Sequence, residues 1–518
     1  MIRYTDSNQI TIDEFYQPFG GQLDKNNRWV KDAMLIPWNE LAHIYYSKMC
    51  SNFGAPAKDA RIVIGAIVIK HKLNLSDEET AEMIRENPYM QFFLGLKGYS
   101  DSYVFHPSLF VAIRKRLGIE EFNQMSNLLI ERLKELQEAK AKEQQKKDKS
   151  DSDENNPSRG DKPTSDKQEQ PTHQGKLIID ATVANQAIKY PNDLDLLNES
   201  REFSELFIDI CWQGFSLPNK PRTYRLTARK EYLSVAKLKN KSNKVLRKAV
   251  GKQLNYLRRN LGHLEAVLAK LTDEQRLSIT AKTWRKFWIV QELYRQQREM
   301  HSVRIHRCDD RIVSIAQPHV RPILRGKANA KVEFGSKIGI SLVNGFVSID
   351  NLSWDAYHEA IDLKKAVENF KTTKGFYPEV LVADPAYGTR ENRQFLKGLG
   401  IRFGGKPLGK PKKETPENRE ELKALKKQRH ADYLDRIPVE GKFGQGKSRY
   451  RLNYIKAKLA ITSAGWIGAI FLVMNIVKMT KTFAAFLFAL TFNWFCRQYS
   501  GKLSKKLSKN GLYSCSAA

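Results

Sequence analysis

Apolar residues recur at the spacing of an α-helix across residues 30–136, with polar residues between them. In this region SDEETAEMIREN carries Ser76 followed three residues later by Glu79, the pairing of a capping box, and it ends before Pro88. Apolar segments on both sides of it supply packing neighbours. The pattern predicts an all-α N-terminal domain over residues 1–136.

The next segment, residues 137–175, contains no Leu, Ile, Val, Phe, Tyr or Trp. Such a composition cannot bury enough apolar surface to offset the entropy lost on ordering the chain. The sequence therefore predicts a disordered, charged linker over residues 137–175.

Short apolar runs rich in β-branched residues follow the linker and alternate with helical patterns. A tight turn at Asn344-Gly345 joins two of these runs into a hairpin. The predicted strands are KLIIDATVANQ (176–186), RIVSI (311–315), VEFGSKIGISLV (332–343), GFVSIDNL (345–352), EVLVADPAYG (379–388) and IRFGG (401–405). Their order with the helices resembles a ribonuclease H fold. We predict an α/β class, with a ribonuclease H-like mixed-sheet catalytic domain over residues 176–480 and a helical insertion at about 195–307.

Two apolar segments lie near the C-terminus, at 465–477 and 483–496, with Lys478 and Lys481 between them. Each is shorter than the ~20 residues that span a bilayer. They predict a buried core helix, and residues 481–518 are expected to form an apolar helix with a basic tail. A membrane segment is the alternative.

The chain of 518 residues carries a formal net charge of +30, and this charge is unevenly spread. Residues 221–307 hold 22 Lys or Arg against 6 Asp or Glu, with aromatic residues interleaved. This imbalance predicts contact with a polyanion, DNA first and an acidic membrane surface second. The expected DNA contacts here are Arg247, Lys248, Arg258 and Arg259. A basic helix end in the N-terminal domain adds Arg114, Lys115 and Arg116.

Five cysteines are scattered along the chain and form no CxxC pair. This usage is typical of a reducing compartment, and the first twenty residues show no basic-then-apolar signal pattern. We therefore predict a cytoplasmic protein with no membrane partner.

Two predicted strands reach aspartates, Asp180 in LIID and Asp384 in LVAD. Because ligands gather beyond the carboxyl ends of strands in an open α/β sheet, these acids are expected to share a site. A third acid, Glu440, is the only one in the basic stretch RIPVEGKFGQGKSRYR (436–451). Carboxylates are hard oxygen ligands that suit Mg²⁺.

In a continuous helix Tyr433, Arg436 and Lys447 would lie within about 40° of Glu440. Pro438 predicts that the helix begins near that residue, because proline is tolerated mainly in a first helical turn.

The spacing of Tyr433, Arg436, Glu440 and Lys447 matches the Tyr-Arg-Glu-Lys signature of bacterial insertion-sequence transposases of the DDE superfamily. SDEETAEMIRENPYMQFFLG is similar to their N-terminal DNA-binding domain, and IIDAT, VADPAYGT and VEGKFGQGKSRYRL are similar to their three catalytic blocks. Within that superfamily the chain resembles the insertion sequence four and five groups, and most of all the group-five family.

The resemblance implies Asp180, Asp384 and Glu440 as the catalytic and metal-binding triad, with Mg²⁺ or Mn²⁺, as two ions. Tyr433, Arg436 and Lys447 would contact DNA. PHVRPILRGK resembles a further block of the family, so His319 and Arg321 are expected to contact phosphate. The implied partners are transposon-end inverted-repeat DNA and target DNA, with a homodimer in the synaptic complex. The implied setting is the bacterial cytoplasm, at the nucleoid.

The function expected from these features is a transposase that cleaves the ends of its insertion sequence and joins them to target DNA. A metal-dependent nuclease of the same fold, acting without strand transfer, is one alternative. A non-enzymatic DNA-binding repressor is another, which the ordered set of acids disfavours.

Overall fold

The computed structural model describes residues 10–17, 21–50, 56–150, 173–215, 219–327, 330–410 and 413–509. Its N-terminal helices are α1 (Arg28–Leu35), α2 (Trp38–Tyr46), α3 (Ala60–Leu73), α4 (Asp77–Glu86), α5 (Pro88–Phe93), α6 (Leu109–Arg116) and α7 (Ile119–Ser150). The insertion contains α8 (Asp193–Gly214), α9 (Arg225–Ala236), α10 (Asn243–Lys270), α11 (Asp273–Ser278) and α12 (Ala281–Val303). The later helices are α13 (Asp362–Lys374), α14 (Arg390–Gly398), α15 (Arg419–Arg449) and α16 (Ala460–Lys509).

A mixed six-stranded sheet lies at the centre of the fold. Its strands are β1 (Lys176–Asn185), β2 (Arg321–Lys327), β3 (Ala330–Val343), β4 (Phe346–Ser353), β5 (Val380–Ala383) and β6 (Arg402–Phe403). They run in the order β2-β3-β1-β5-β6, and β4 also pairs with β3. β1 is antiparallel to β3 and parallel to β5, and β5 is parallel to β6. The prediction of an α/β protein with a mixed sheet is confirmed.

Two local predictions are confirmed in detail. Ser76 and Glu79 form both hydrogen bonds of the capping box at the start of α4. The β3–β4 hairpin turns at Asn344 and Gly345, whose φ angles of 51° and 82° are those of a tight two-residue hairpin turn.

The predicted strand at 311–315 is wrong. Ile312, Val313 and Ile315 are buried, but this segment pairs with no strand. The Ile312 amide donates to the Gln296 side chain at 3.0 Å, so a helix side chain satisfies it instead. An apolar β-branched run predicts burial, and here the burial is against the helices of the insertion.

The predicted disordered linker is wrong for residues 137–150, because α7 continues to Ser150. This part contains no Gly or Pro and is rich in Ala, Glu, Gln and Lys, which have high intrinsic helix propensity. A helix can extend into solvent on propensity without burying any apolar surface. At the other end of the predicted linker, Gln174 donates to the Tyr377 carbonyl at 2.9 Å. Residues 151–172 lie outside the described residues.

The N-terminal helices share one hydrophobic core with α16 and one face of the sheet. This core joins Phe93 and Met125 from the N-terminal helices to Ile340 of β3 and Ile470 of α16. The N-terminal residues therefore pack onto the sheet rather than around a core of their own. The boundary between domains at residue 136 stays a prediction.

A cluster of cations around Trp466 ties α16 to the N-terminal helices. Lys70 and Arg114 lie over the Trp466 ring, at 4.8 and 4.7 Å from its centroid. Both cations pair with Asp77, Lys70 at 2.8 Å and Arg114 at 2.5 Å. The side chain of Arg114 is only 11% exposed. Its charge is thus used inside the fold, and its role as a DNA contact stays a prediction.

Helices α8 to α12 pack around a second core that includes Phe207, Leu257, Val290 and Ile315. A third, smaller core lies under the opposite face of the sheet and includes Leu177, Leu363 and Leu381.

The two predicted C-terminal apolar segments form one continuous helix, α16. Residues 460–492 are long and apolar enough to cross a membrane by length and composition, but 72% of their most apolar window is buried in the structure. The buried residues Ile467, Ile470 and Val473 belong to the core shared with the N-terminal helices. This packing accounts for the apolar character of the first half of the helix.

Asp350 predicts a pH dependence of stability. Burial raises the pKa of its carboxyl to about 7, against hydrogen bonds from Ser341 and Asn369, and Asp362 adds to the increase. In the unfolded chain it titrates near 3.8. A carboxyl with a raised folded-state pKa favours folding below its unfolded-state pKa, and this contribution is lost as the pH rises through 7.

We therefore expect the wild type to lose stability between about pH 4 and pH 7 relative to Asp350→Asn, which does not titrate there. Thermal unfolding of both proteins at a series of pH values measures this. Parallel curves would show that the buried carboxyl is not the titrating group.

Candidate active site

Asp180 and Asp384 lie side by side on neighbouring strands. The parallel pairing of β1 with β5 ends at Ile179 and Ala383, and each aspartate is the next residue of its strand path. Neighbouring strands are about 4.8 Å apart, so the two carboxylates reach the same edge of the paired region. The strand register therefore places these two acids next to each other, as expected from the sequence.

The third acid is presented by α15, which crosses this edge. The expectation that the helix begins near Pro438 is wrong, because α15 runs from Arg419 to Arg449 with Pro438 inside it. Pro438 has no amide proton, so one helical hydrogen bond is missing. Because Pro438 is exposed, water can take the place of the missing donor. As a result Tyr433, Arg436 and Glu440 all lie on one helix.

Arg436 joins the three acids. Its Nη1 lies 2.9 Å from Asp384 Oδ2 and 3.9 Å from Asp180 Oδ2, and its Nη2 lies 2.6 Å from Glu440 Oε1. The Arg436 side chain is 20% exposed. One cation is thus held by all three carboxylates, which means that the acids face a common point.

We call the space around this point the acid cavity. It has a volume of about 710 Å³ and is lined by Asp180, Asp384, Glu440, Arg436 and Lys447, together with Glu359 and Lys337. Glu359 contributes a fourth carboxylate, which pairs with Lys337 at 2.9 Å.

Asp180 is the most deeply buried of the three acids. Burial raises the pKa of its carboxyl to about 6, opposed by the Ala181 amide and by Arg436. The negative charges of Glu359 and Asp384 add to the increase. A cation in the acid cavity would relieve this repulsion between carboxylates.

Two ion pairs fix α15 against the sheet. Arg402 of β6 donates to both carboxylate oxygens of Asp432, each at 2.7 Å, in the bidentate geometry that adds directional precision. Lys176 at the start of β1 binds Asp435 at 2.5 Å. These contacts lie within one helical turn of Arg436 and set the helix rotation that points Arg436 and Glu440 at the aspartates.

The donor set of the acid cavity fits a divalent cation of the Mg²⁺ type. Three carboxylates supply hard oxygen ligands, and they already surround one positive charge. Within the described part of the chain, no group of three or more His, Cys, Asp or Glu side chains is arranged so that it could hold a metal ion. Arg436 lies between the acids, so binding of an ion there requires the guanidinium to move.

The other predicted contacts lie at the acid cavity or away from it. Lys447 lines it and also lies 3.7 Å from Glu333 of β3. Tyr433 is 59% exposed and lines the space on the other side of Arg436. Lys115 and Arg116 are exposed at the end of α6.

The four predicted contacts of the insertion lie on α10. Arg247, Lys248 and Arg258 are exposed. Arg259 is half-buried, and its guanidinium carbon lies 4.3 Å from the centroid of the Tyr224 ring. Arg259 therefore also packs within the insertion.

His319 and Arg321 are less available than the sequence suggested. The His319 ring packs against Trp354 at a centroid distance of 4.3 Å, and burial lowers its pKa to about 4. It is therefore neutral at pH 7 and cannot contribute a cation. Arg321 lies 3.7 Å from Asp310 and 3.9 Å from Asp355, so its charge is partly balanced within the protein.

Sequence reasoning missed Glu359, Lys337 and the Arg402–Asp432 pair. Glu359 precedes α13 and Lys337 lies within β3, and neither position stands out without the folded arrangement. Asp432 directly precedes Tyr433, so its charge is visible in the sequence beside the Tyr433–Glu440 segment. The sequence does not show that Arg402 is its partner.

Comparisons with known proteins match two separate segments of the chain. Residues 381–477 match the family model of a transposase DDE domain, and residues 17–116 match that of a transposase domain (DUF772). The first segment includes Asp384, Arg436 and Glu440, and Asp180 precedes it. The chain therefore carries segments of transposase type, which supports a transposase function.

A Rhizobium meliloti protein described as "Uncharacterized protein ORF8 in nfe locus" is 31% identical to this chain over 102 residues. The match covers 20% of this chain and 49% of that protein. This chain therefore spans about half of the length of that curated relative. No solved structure matches.

Proposed function

We propose that this protein is a DDE transposase that binds the ends of its insertion sequence, cleaves phosphodiester bonds there and joins the ends to target DNA. The observation that carries the proposal is the convergence of Asp180, Asp384 and Glu440 on a single guanidinium, inside a chain with two segments of transposase type. The sheet order and the helical insertion support a ribonuclease H-like domain, and the Tyr433–Lys447 spacing supports the insertion sequence four and five groups.

In this proposal Asp180, Asp384 and Glu440 hold two Mg²⁺ or Mn²⁺ ions. When bound, such ions activate water and stabilise the leaving oxygen of a phosphodiester. Arg436 leaves the acids and binds a phosphate of the strand, and Lys447 at the rim of the acid cavity holds the same strand. The Arg402–Asp432 pair keeps α15 in place while Arg436 moves.

The proposed partners are inverted-repeat end DNA, target DNA and a second copy of the chain, because synapsis of two ends is met most simply by one copy of the chain at each end. The proposed setting is the bacterial cytoplasm, at the nucleoid. The high positive charge of the insertion supports the DNA partner.

A joining assay tests the function. Purified protein, a labelled duplex carrying the inverted repeat that flanks the coding region, and a supercoiled plasmid are incubated with Mg²⁺. The proposal predicts labelled plasmid. Cleaved end DNA without labelled plasmid would indicate the nuclease alternative, and binding without cleavage would indicate the repressor.

The insertion gives a prediction of its own. Lys248→Ala and Arg258→Ala remove exposed cations from α10, so end binding should weaken about equally for many sequences. The slope of log affinity against log salt should fall by up to about one unit for each lost phosphate contact. Binding titrations at several salt concentrations measure this. Unchanged affinity with altered sequence preference would mean that these residues read bases.

A further inference from the structure

A second cavity adjoins the acid cavity on the other side of Arg436. It has a volume of about 620 Å³ and follows the segment from Gly404 to Gly409, so we call it the loop cavity. Arg436 lines both cavities, and Asp384 of the acid cavity directly precedes Pro385 of the loop cavity. The two cavities therefore share the Arg436 side chain as a wall, and their linings meet again at the Asp384–Pro385 step of the chain.

The walls of the loop cavity suit a flat, partly apolar group. Pro385, Pro407 and the exposed ring of Tyr433 line it, beside the backbone of the glycine segment. A Cβ at Gly405 would lie 2.3 Å from the Phe403 ring, so only glycine allows the segment to fold this closely. A volume of this size lies within the range of small-molecule and nucleotide sites, and bases stack well on rings of this kind.

The loop is held in a fixed position. Arg393 donates to the Lys406 carbonyl and, at 2.9 Å, to the Gly388 carbonyl. The same guanidinium lies over the Phe403 ring, 4.5 Å from its centroid. The cavity wall is thus tied to the segment that follows Asp384, and the cavity keeps its position relative to the acids.

Three exposed cationic or titratable side chains line the loop cavity: Lys406, Arg429 and His430. Within the described residues, none of these side chains has a hydrogen bond or an ion pair. Elsewhere in this protein many cations are paired with acids, as Arg402 is with Asp432. Two cations, Lys406 and Arg429, and an imidazole without protein partners lie beside stacking surfaces, which favours a ligand that carries phosphate and a ring.

The basic insertion indicates which nucleotide this would be. The insertion leads into β2 at one end of the strand order, whereas β6, which precedes the loop, lies at the other end. Ile323 and Leu324 of β2 line the acid cavity. DNA of the element held by the insertion therefore approaches from that side. A strand that crosses the acids then places the nucleotide beyond the cleavage position in the loop cavity.

We propose that the loop cavity is a nucleotide subsite that binds the first flanking nucleotide beyond the cleaved bond, with Lys406 and Arg429 on its phosphate and Tyr433 against its base. This inference rests on the proposed function, because it requires end DNA at the acid cavity.

The test compares two end duplexes, one that stops at the cleavage position and one that extends two nucleotides into the flank. Binding is measured by fluorescence anisotropy in a Glu440→Gln background, so that the longer duplex stays intact. The parent should bind the extended duplex about tenfold more tightly, a difference of about 1.4 kcal/mol. Lys406→Ala/Arg429→Ala should reduce this preference to about twofold or less and leave binding of the flush duplex within about twofold.

The matched control is Lys423→Ala/Lys427→Ala, which removes the same charge from two exposed positions of α15 that do not line the loop cavity. The control should keep the preference. Equal loss in the control, a retained preference in the Lys406/Arg429 variant, or no preference in the parent would each overturn the subsite. If the parent binds no end DNA at all, the proposed function fails with it, whereas end binding without a length preference defeats the subsite alone.

Stacking has a separate readout. 2-Aminopurine at the first flanking position should lose fluorescence on binding, and Tyr433→Ala should prevent this loss. Tyr433→Phe keeps the ring and should restore the quenching. The same quenching in Tyr433→Ala would overturn the assignment of the base to this ring.

Discussion

Glu440→Gln is expected to reduce cleavage of end DNA by several orders of magnitude while end binding survives or tightens. The amide keeps the shape of the side chain but loses the negative charge that helps to hold a divalent ion. Asp180→Asn and Asp384→Asn should behave alike. Because the three acids act on the same ions, a double variant should be about as inactive as a single one. A gel assay of end cleavage in Mg²⁺ or Mn²⁺, run beside a binding assay, measures both effects.

Glu333→Gln is the matched control for this experiment. Glu333 also pairs with a cation of α15, Lys447, but it does not line the acid cavity. It should retain most of the cleavage. Near-normal cleavage by Glu440→Gln would refute the proposed triad.

Arg436→Ala is expected to have opposite effects on metal binding and on cleavage. In the absence of DNA it should bind Mn²⁺ roughly tenfold or more tightly, because a positive charge near a metal site repels the ion, by about 4 kcal/mol for each pair of unit charges 4 Å apart at an effective dielectric constant near 20. Cleavage should nevertheless fall by roughly a hundredfold, and higher DNA concentration should partly restore it, since a phosphate contact positions the strand without activating water. Electron paramagnetic resonance of free Mn²⁺ measures the first effect.

Arg436→Lys separates the two roles of this residue. It keeps the charge and should bind Mn²⁺ about as the wild type does, but it loses the bidentate geometry that Arg436 offers to phosphate. Weaker Mn²⁺ binding by Arg436→Ala would contradict the competition between guanidinium and ion.

The periodic patterns predicted the elements around the candidate site well. β1, β3, β4 and β5 lie where β-branched apolar runs occur, and the register of β1 with β5 puts Asp180 beside Asp384 as expected. The predicted strand at 311–315 failed because burial against helices produces the same apolar run as burial in a sheet.

Two further errors have a common cause. Residues 137–150 were expected to be disordered because of their composition, and the last helix before the C-terminal apolar segments was expected to begin near Pro438, because proline is tolerated mainly in a first helical turn. Both lie in long helices, α7 and α15, where helix propensity or tertiary anchoring, such as the Arg402–Asp432 pair, outweighs the local signal.

Contacts between residues far apart in the chain could not be predicted from the sequence. The sequence pattern predicts that Arg114 is a surface cation of α6. Its contacts with Asp77 and Trp466 form only in the folded structure. Glu359 and Lys337 join the acid cavity in the same way, because residues distant along the chain meet only once the sheet has formed.

Iron-directed cleavage of the polypeptide tests the central claim, that Asp180, Asp384 and Glu440 form one metal centre. Fe²⁺ bound in place of Mg²⁺, with ascorbate and peroxide, cuts the backbone close to the ion. The proposed centre predicts cuts near residues 180, 384 and 440, suppressed by excess Mg²⁺ and by Asp384→Asn. Cuts confined to other regions, or the same cuts in Asp384→Asn, would contradict it.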